Sequence, residues 1–391
     1  MIEREISREL IQCCAEYPVV TVLGPRQSGK TTLVQMTFPD KPYFSLEDPD
    51  IRMAADADPR GFLDQAKEGA VLDEVQRLPV LLSYIQGMVD RKKRPGMFVL
   101  TGSHQPRLHE AIAQSLAGRS AMLTLWPFSF SELKQYKQGW KAFELIHRGC
   151  FPRLHEEGLE SSRFYNSYLQ TYVERDVRAL INLRDLGRFQ VFLRLLAGRV
   201  GQVVNLTSLS NDVGVSVTTI KNWLSVLEAS YVIFQLPPFY QNIRKRVIKS
   251  PKIYFTDVGL AAFLLGIHNE DQASRDPLRG NLYENLVIAD VMKGGFNRGI
   301  RPEAYFYRDS HGNEVDLVIK ERGNLIPVEI KSASTFSENF LKGLERFREL
   351  GLDRVCSGFV LYNGEQEFRV HNVRILNPLH VEDLWETLVS P

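Results

Sequence analysis

From Val19 to Leu23 the chain runs VVTVL, a short β-branched apolar stretch with glycine directly after it, and this pattern predicts a buried strand. The TLVQMTF segment that follows the glycine-bearing stretch is consistent with a helix, so the front end reads strand, glycine loop, helix. Two further apolar runs, Gly69-Ala70-Val71-Leu72 and Met97-Phe98-Val99-Leu100, each end abruptly in small or acidic residues. Three such strands interleaved with helical stretches predict a parallel α/β sheet whose ligand sits at the strands' C-terminal ends. From about Lys134 to Leu196 aromatic and aliphatic residues recur at three- and four-residue spacing, which predicts helices whose stripe is core. Leu206 to Val213 and Val217 to Ala229 predict two helices about a Gly214-Val215-Ser216 turn, the layout of a helix-turn-helix, with Ile220, Leu224 and Leu227 on one face. Strands are expected over Tyr231–Phe239 and Ile248–Phe255, and the segment between them, Tyr240 to Arg246, suits a wing.

The polar stretch Asn269 to Arg279 reads as a linker. Beyond Gly280 the pattern predicts a helix, then strands at Ala304–Arg308, Glu314–Ile319 and Leu325–Ile330, a helix around Glu338–Leu350 and a strand at Ser357–Tyr362. A chain of 391 residues has room for two to four such modules, each with its own core. With 44% hydrophobic and 24% charged residues it has the balance of a chain that folds throughout. A net charge of +1 gives no global field towards nucleic acid or an anionic membrane, so any such site must be a local patch. The spacing of Cys13, Cys14, Cys150 and Cys356 fits neither a zinc site nor a disulfide framework. MIEREISRELIQ lacks the layout of a signal peptide, and no apolar run approaches the roughly 20 residues that span a bilayer. The expectation is a cytoplasmic protein without a membrane partner.

The chemistry begins at Gly24-Pro25-Arg26-Gln27-Ser28-Gly29-Lys30-Thr31-Thr32, whose spacing fits a phosphate loop: backbone N–H groups and a helix N-terminus wrap a polyphosphate. Lys30 would reach the β- and γ-phosphates and Thr31 would hold Mg2+. The strand ending in Asp73-Glu74 has the layout of the magnesium-supporting strand of nucleoside triphosphatases, with Asp73 in the metal shell and Glu74 polarising the attacking water. Ser103, or failing it Thr101, would sense the γ-phosphate.

GPRQSGKTT, VLDEVQRLP, FVLTGS, SLAGR and LTLWPFSFSEL, in that order, resemble the AAA+-type ATPases of a widespread prokaryotic family with an uncharacterised C-terminal region. The resemblance continues through Tyr172-Val173-Glu174-Arg175-Asp176-Val177 and covers nearly the whole chain. It implies ATP binding and hydrolysis, commonly with assembly into a ring or other homo-oligomer. Arg119, in Leu116-Ala117-Gly118-Arg119, is the first choice for an arginine that stabilises transition-state charge, and Arg26 also matches.

Two later segments point towards DNA. Val191 to Phe255 carries eight basic residues against two acidic ones, an excess of the kind that phosphate-backbone contact requires. Thr218, Thr219, Lys221 and Asn222 on the second helix, with Arg244, Lys245 and Arg246 in the wing, are the expected contacts. In HGNEVDLVIKERGNLIPVEIK, strand alternation puts Val315, Leu317 and Ile319 on one face and lets Asp316, Glu329 and Lys331 converge on the other. Paired carboxylates need a cation, and hard oxygen ligands suit Mg2+; Glu284 on the preceding helix adds a third. This order resembles the PD-(D/E)XK nuclease core, which implies a metal site with Lys331 catalytic, although Val315 stands where that motif has proline. The expected organisation is a P-loop parallel-sheet ATPase domain (1–133), a helical lid (134–196), a winged helix (197–268) and an α/β restriction-nuclease-like domain (280–391). Its expected work is ATP hydrolysis that drives or gates action on DNA. The alternative is an ATP-gated switch whose rear modules bind a protein partner.

Overall fold

A computed structural model describes residues 2–103, 106–173, 185–239 and 250–390. The front of the chain builds a five-stranded, all-parallel sheet in the order β2-β3-β4-β1-β5, from β1 (Val19–Gly24), β2 (Tyr43–Ser45), β3 (Ala70–Asp73), β4 (Phe98–Ser103) and β5 (Ser120–Thr124). Alternation sorts its side chains: Val19, Leu23, Leu72 and Leu100 join one cluster, while Val20, Val22, Val71 and Val99 pack on the other face beneath α1 (Ser7–Glu16) and α2 (Lys30–Thr37). The sequence pattern predicted β1, β3 and β4. It missed β2, three residues long, and β5, an edge strand that is half-exposed.

After β5 the chain enters α3 (Phe130–Tyr136), which opens with a capping box: Glu132 N–H donates to Ser129 Oγ and Ser129 N–H to Glu132 Oε2. The helix-turn-helix is formed by α4 (Leu206–Val213) and α5 (Val217–Ala229), with Gly214 left-handed between them and Ser216 accepting from Thr219 N–H. Trp223 of α5 anchors it, its ring 5.3 and 5.2 Å from those of Phe189 and Phe192. β6 (Ile233–Leu236) and β7 (Lys252–Phe255) pair antiparallel, shorter than expected, and the segment expected to form a wing, Tyr240 to Arg246, lies outside the described residues. The presumed linker holds a helix, Glu270–Arg275, capped by Asn269 Oδ1 on Gln272 N–H at 2.8 Å.

The rear of the chain follows the predicted order. α6 (Arg279–Phe296) leads into β8 (Glu303–Arg308), β9 (Glu314–Glu321) and β10 (Asn324–Lys331), an antiparallel run; α7 (Lys342–Arg348) then crosses to β11 (Phe359–Tyr362), parallel to β10. β12 (Phe368–Val370) and β13 (Val373–Leu376) extend the mixed sheet to six strands. One core runs through the middle and rear, joining Phe128, Trp223, Tyr254, Leu286, Leu317 and Trp385. The modules are therefore packed on one another.

Candidate nucleotide site and a buried acidic cluster

The loop after β1 can be built only from small residues at two positions. A Cβ on Gly24 would lie 2.0 Å from Leu125 O, and Gly29 has φ +90°, which side-chain-bearing residues rarely adopt. Pro25 and Ser28 are buried, Arg26, Gln27 and Thr31 half-buried, and Thr32 exposed on α2. Lys30 Nζ folds onto the loop it belongs to, donating to Gly24 O at 3.2 Å and Pro25 O at 2.8 Å. Across the sheet, Thr31 Oγ1 donates to Asp73 Oδ2 at 3.0 Å, so the phosphate loop and the acidic strand end are already in contact.

Two further donors converge on Asp73: the Tyr43 hydroxyl, 2.7 Å from Oδ2, and the Thr101 hydroxyl on Oδ1. Burial and the neighbouring carboxylate push the Tyr43 phenol well above its usual value, so it stays a donor. Glu74 adopts the left-handed region at φ 58°, ψ 44°, a conformation that costs a residue with a Cβ and recurs at functional turns. Its carboxylate accepts from Gln76 Nε2, which also donates to Ser103 Oγ at 2.9 Å. A carboxylate only accepts, so the Gln76 amide nitrogen must face Glu74. Of the expected nucleotide residues, the structure thus brings together the loop, Asp73, Glu74 and Ser103, with Tyr43, Thr101 and Gln76 tying them. Gln76 lies inside the DEVQ stretch, so its nearness to Glu74 could have been read; Tyr43 gave no local signal.

Arg119 is elsewhere. Its backbone oxygen accepts from Val19 N–H at the start of β1, while the phosphate loop follows the end of that strand, about 17 Å away at ~3.3 Å per residue. Its guanidinium forms a fork with Asp90, 2.5 and 3.0 Å. Within its own chain Arg119 does not reach the loop.

On α5, Thr218, Lys221 and Asn222 are exposed, and Thr219 is half-buried with its hydroxyl 2.8 Å from Ser216 Oγ. The basic footprint shrinks: Arg199 pairs with Asp212, and Lys252, on β7, is buried against the rear module. Arg194 and Lys221 remain exposed. Arg244, Lys245 and Arg246 lie outside the described residues, as do Glu174, Arg175 and Asp176 of the resembling motif.

The rear acids do converge, in a different way from the expected one. Tyr305 pairs with Val318 and Tyr307 with Val315, so β9 carries one extra residue around Asp316-Leu317. This bulge swings Val315 to the outer cluster with Val318, while Leu317 and Ile319 stay in the main core; the three do not share a face. Asp316 Oδ2 accepts from Ile330 N–H at 2.8 Å and Lys331 Nζ at 3.2 Å, and Lys331 lies 2.6 Å from Glu329 Oε1. Glu284 Oε1 accepts from the Tyr254 hydroxyl at 2.5 Å and from Lys252 Nζ at 2.9 Å, which also reaches Glu314 at 2.6 Å.

Burial and the charge on Asp316, opposed by Lys331, push Glu329 up to about 8; its Oε2 has no partner, where a proton would sit. Burial raises Glu284 to about 7 against the pull of Lys252. For Lys252 and Lys331 burial disfavours the ammonium, but the surrounding carboxylates win and hold both above the usual lysine value. Among the described residues, no group of three or more His, Cys, Asp or Glu is arranged to hold a metal ion. Lys252 and Lys331 lie against Glu284, Asp316 and Glu329, the acids expected to hold Mg2+, and supply positive charge among them. Lys252 and Tyr254, from β7, are the members that sequence reading missed, because their partner Glu284 is 32 and 30 residues distant.

A family model described as an AAA domain matches residues 16–134, and models of two domains of unknown function, DUF8612 and DUF4143, match 140–271 and 279–381. The uncharacterized proteins Rv2008c of Mycobacterium tuberculosis and Mb2031c of Mycobacterium bovis are each 30% identical over 385 residues, covering 96% of this chain and 83% of their own. Among solved structures, the Walker-type ATPase of Pyrococcus abyssi aligns at 15% identity and a TM-score of 0.45, covering 66% of this chain and 94% of that one. No described helix is long and apolar enough to cross a membrane.

Proposed function

We infer that this chain, which belongs to the same family as protein Rv2008c of Mycobacterium tuberculosis and opens with an AAA-type ATPase domain, hydrolyses ATP at the C-terminal ends of β1, β3 and β4 and couples hydrolysis to action on DNA. The observation that carries the ATPase site is the contact network from Thr31 through Asp73 and Thr101 to Glu74, Gln76 and Ser103.

Lys30 would exchange the carbonyls of Gly24 and Pro25 for the β- and γ-phosphate oxygens, and the loop's N–H groups would take the remaining negative charge. Thr31 and Asp73, an oxygen pair at the loop's edge, fit a phosphate-bound Mg2+, which supplies electrostatic stabilisation of the charge developing on the transferred group. Glu74, held by Gln76 beside Ser103, would orient the attacking water and accept its proton. Arg119, at the far end of its own sheet, would act on a nucleotide only across a subunit boundary in a homo-oligomer. The exposed face of α5, with Thr218, Lys221 and Asn222, is the proposed duplex contact. The order of helix, three strands, helix and strand in the rear module supports the restriction-nuclease-like reading, and we assign the module to gripping nucleic acid, with its acids bridged by Lys252 and Lys331.

A second reading, an ATP-gated switch for a protein partner, is favoured by one observation: Arg199 and Lys252 are consumed by internal ion pairs. ATP turnover with single-stranded, duplex and branched DNA, in wild type, Lys30→Ala and Asp316→Ala, separates the two. DNA stimulation that survives Asp316→Ala and disappears with Lys30→Ala supports the first; turnover indifferent to every DNA supports the switch.

A further inference from the structure

Arg4 precedes the first helix and belongs to no nucleotide-binding motif, yet it is buried to 7% exposure behind the phosphate loop. Its guanidinium points three ways. Nη1 donates to Ser28 O at 2.7 Å, Nη2 to Trp126 O at 2.7 Å, and Nε to Glu132 Oε1 at 2.8 Å, with the plane over the Phe128 ring at 4.9 Å. Glu132 is itself fully buried and engaged in the cap of α3, so the fork is fixed at its base. A buried charge with every partner in place is costly to move and a rigid reference for what it holds.

What it holds is one peptide unit of the loop. A trans peptide is planar, so its C=O and N–H point in opposite directions. Ser28 O is turned outward onto Arg4, which aims Gly29 N–H inward, to the side where the loop wraps phosphate. Gly29 is the residue best able to let this unit flip, since it sits at φ +90° with no Cβ. A flip would present a carbonyl oxygen to the polyphosphate in place of an N–H donor.

We propose that Arg4 is a positioning residue for ATP: by holding the Ser28 carbonyl it locks the Ser28–Gly29 peptide in the phosphate-binding orientation. The inference rests on the ATPase reading above. It also explains why the segment Trp126 to Glu132 is tied so tightly to the front of the chain. That segment is gripped from the other side by α6, where Asp290 accepts from Phe130 N–H at 2.7 Å and Lys293 donates to Phe128 O at 2.9 Å.

The test compares wild type, Arg4→Lys and Glu132→Gln by steady-state ATP hydrolysis, binding of a fluorescent ATP analogue and nucleotide-free thermal unfolding. Lysine keeps the charge but carries all its donors on one nitrogen, too compact to span the three separate acceptors that Arg4 reaches from Nε, Nη1 and Nη2. Arg4→Lys is expected to raise KM and the analogue's Kd about tenfold, the loss of one charge-assisted bond to the loop, with kcat within about twofold. Glu132→Gln leaves the guanidinium on Ser28; its thermal midpoint is expected to fall with KM unchanged. Wild-type KM in Arg4→Lys, or KM rising in both variants in step with lost thermal stability, overturns the proposal. Should Arg4→Lys fail to fold, Arg4→Gln takes its place and is read the same way: a KM raised beyond any change in thermal midpoint supports the proposal, and a wild-type KM refutes it. A wild-type protein that neither binds nor hydrolyses ATP refutes the ATPase reading itself, whatever Arg4 does.

Discussion

Replacing Lys252 by methionine removes the ammonium that lies between Glu284 and Glu314 and leaves the stem almost unchanged in volume. The side chain is 4% exposed and that of Glu284 11%, so water cannot replace the lost partner. Breaking a buried ion pair from one side costs about 3 to 5 kcal/mol. The lower end applies here, because the Tyr254 hydroxyl still donates to Glu284 and the carboxyl, already raised to about 7, can take a proton instead. The sign follows: the penalty belongs to the ionised form of Glu284, so it is largest well above pH 7 and fades as pH falls below it. Urea unfolding followed by tryptophan fluorescence at pH 8 and pH 6 measures it, with Trp385 reporting directly since it packs against Gly294 of α6, the helix that bears Glu284. We expect about 3 kcal/mol lost at pH 8, less at pH 6, and most of it recovered in Lys252→Met/Glu284→Gln. A loss below about 1 kcal/mol at pH 8, or no recovery in the double variant, refutes the buried-pair account. Duplex affinity should keep its salt slope in Lys252→Met; a slope reduced by about one would instead place this lysine on phosphate.

Glu329 gives a pH signature of its own. Its folded value near 8 lies above the unfolded one, so the native state binds the extra proton and loses stability as pH rises towards 8; the wild-type thermal midpoint should climb from pH 9 to pH 6, and Glu329→Gln should flatten part of that climb. Lys221→Ala should weaken duplex binding alike for all sequences and lower the salt slope by about one, measured by fluorescence anisotropy across a salt series. Arg119→Ala should leave ATP-analogue affinity and the thermal midpoint unchanged, since its pair with Asp90 is at the surface, and any loss of turnover should grow with protein concentration.

What sequence could show here depended on how local each interaction is. The strand, loop and helix around Lys30 are contiguous, and Asp73 and Glu74 announce themselves by ending an apolar run, so half of the nucleotide site was readable before any fold. β2 carries only Tyr43, Phe44 and Ser45, too few residues for a period, and the tyrosine that serves Asp73 arrived with it unread. The acidic cluster was legible as a convergence of Glu284, Asp316, Glu329 and Lys331, because strand alternation is a strong rule. Its surroundings were not: a single bulge in β9 turned Val315 away from Leu317 and Ile319, and Lys252, counted from sequence in the basic stretch Val191 to Phe255, reached in from β7 to pair with Glu284 and Glu314. Charge counts assume that charged residues stay outside, and Arg4 and Lys252 both break that assumption.

The claim at the centre of this account is that the loop and the acidic strand end hydrolyse ATP together. Phosphate release by wild type, Lys30→Ala and Glu74→Gln, with ATP-analogue binding measured on the same samples, tests it most directly. Glu74→Gln should bind the analogue as wild type does while turnover falls by about 100-fold or more, and Lys30→Ala should lose turnover altogether. Wild-type turnover in either variant, from protein of unchanged thermal midpoint, contradicts the assignment.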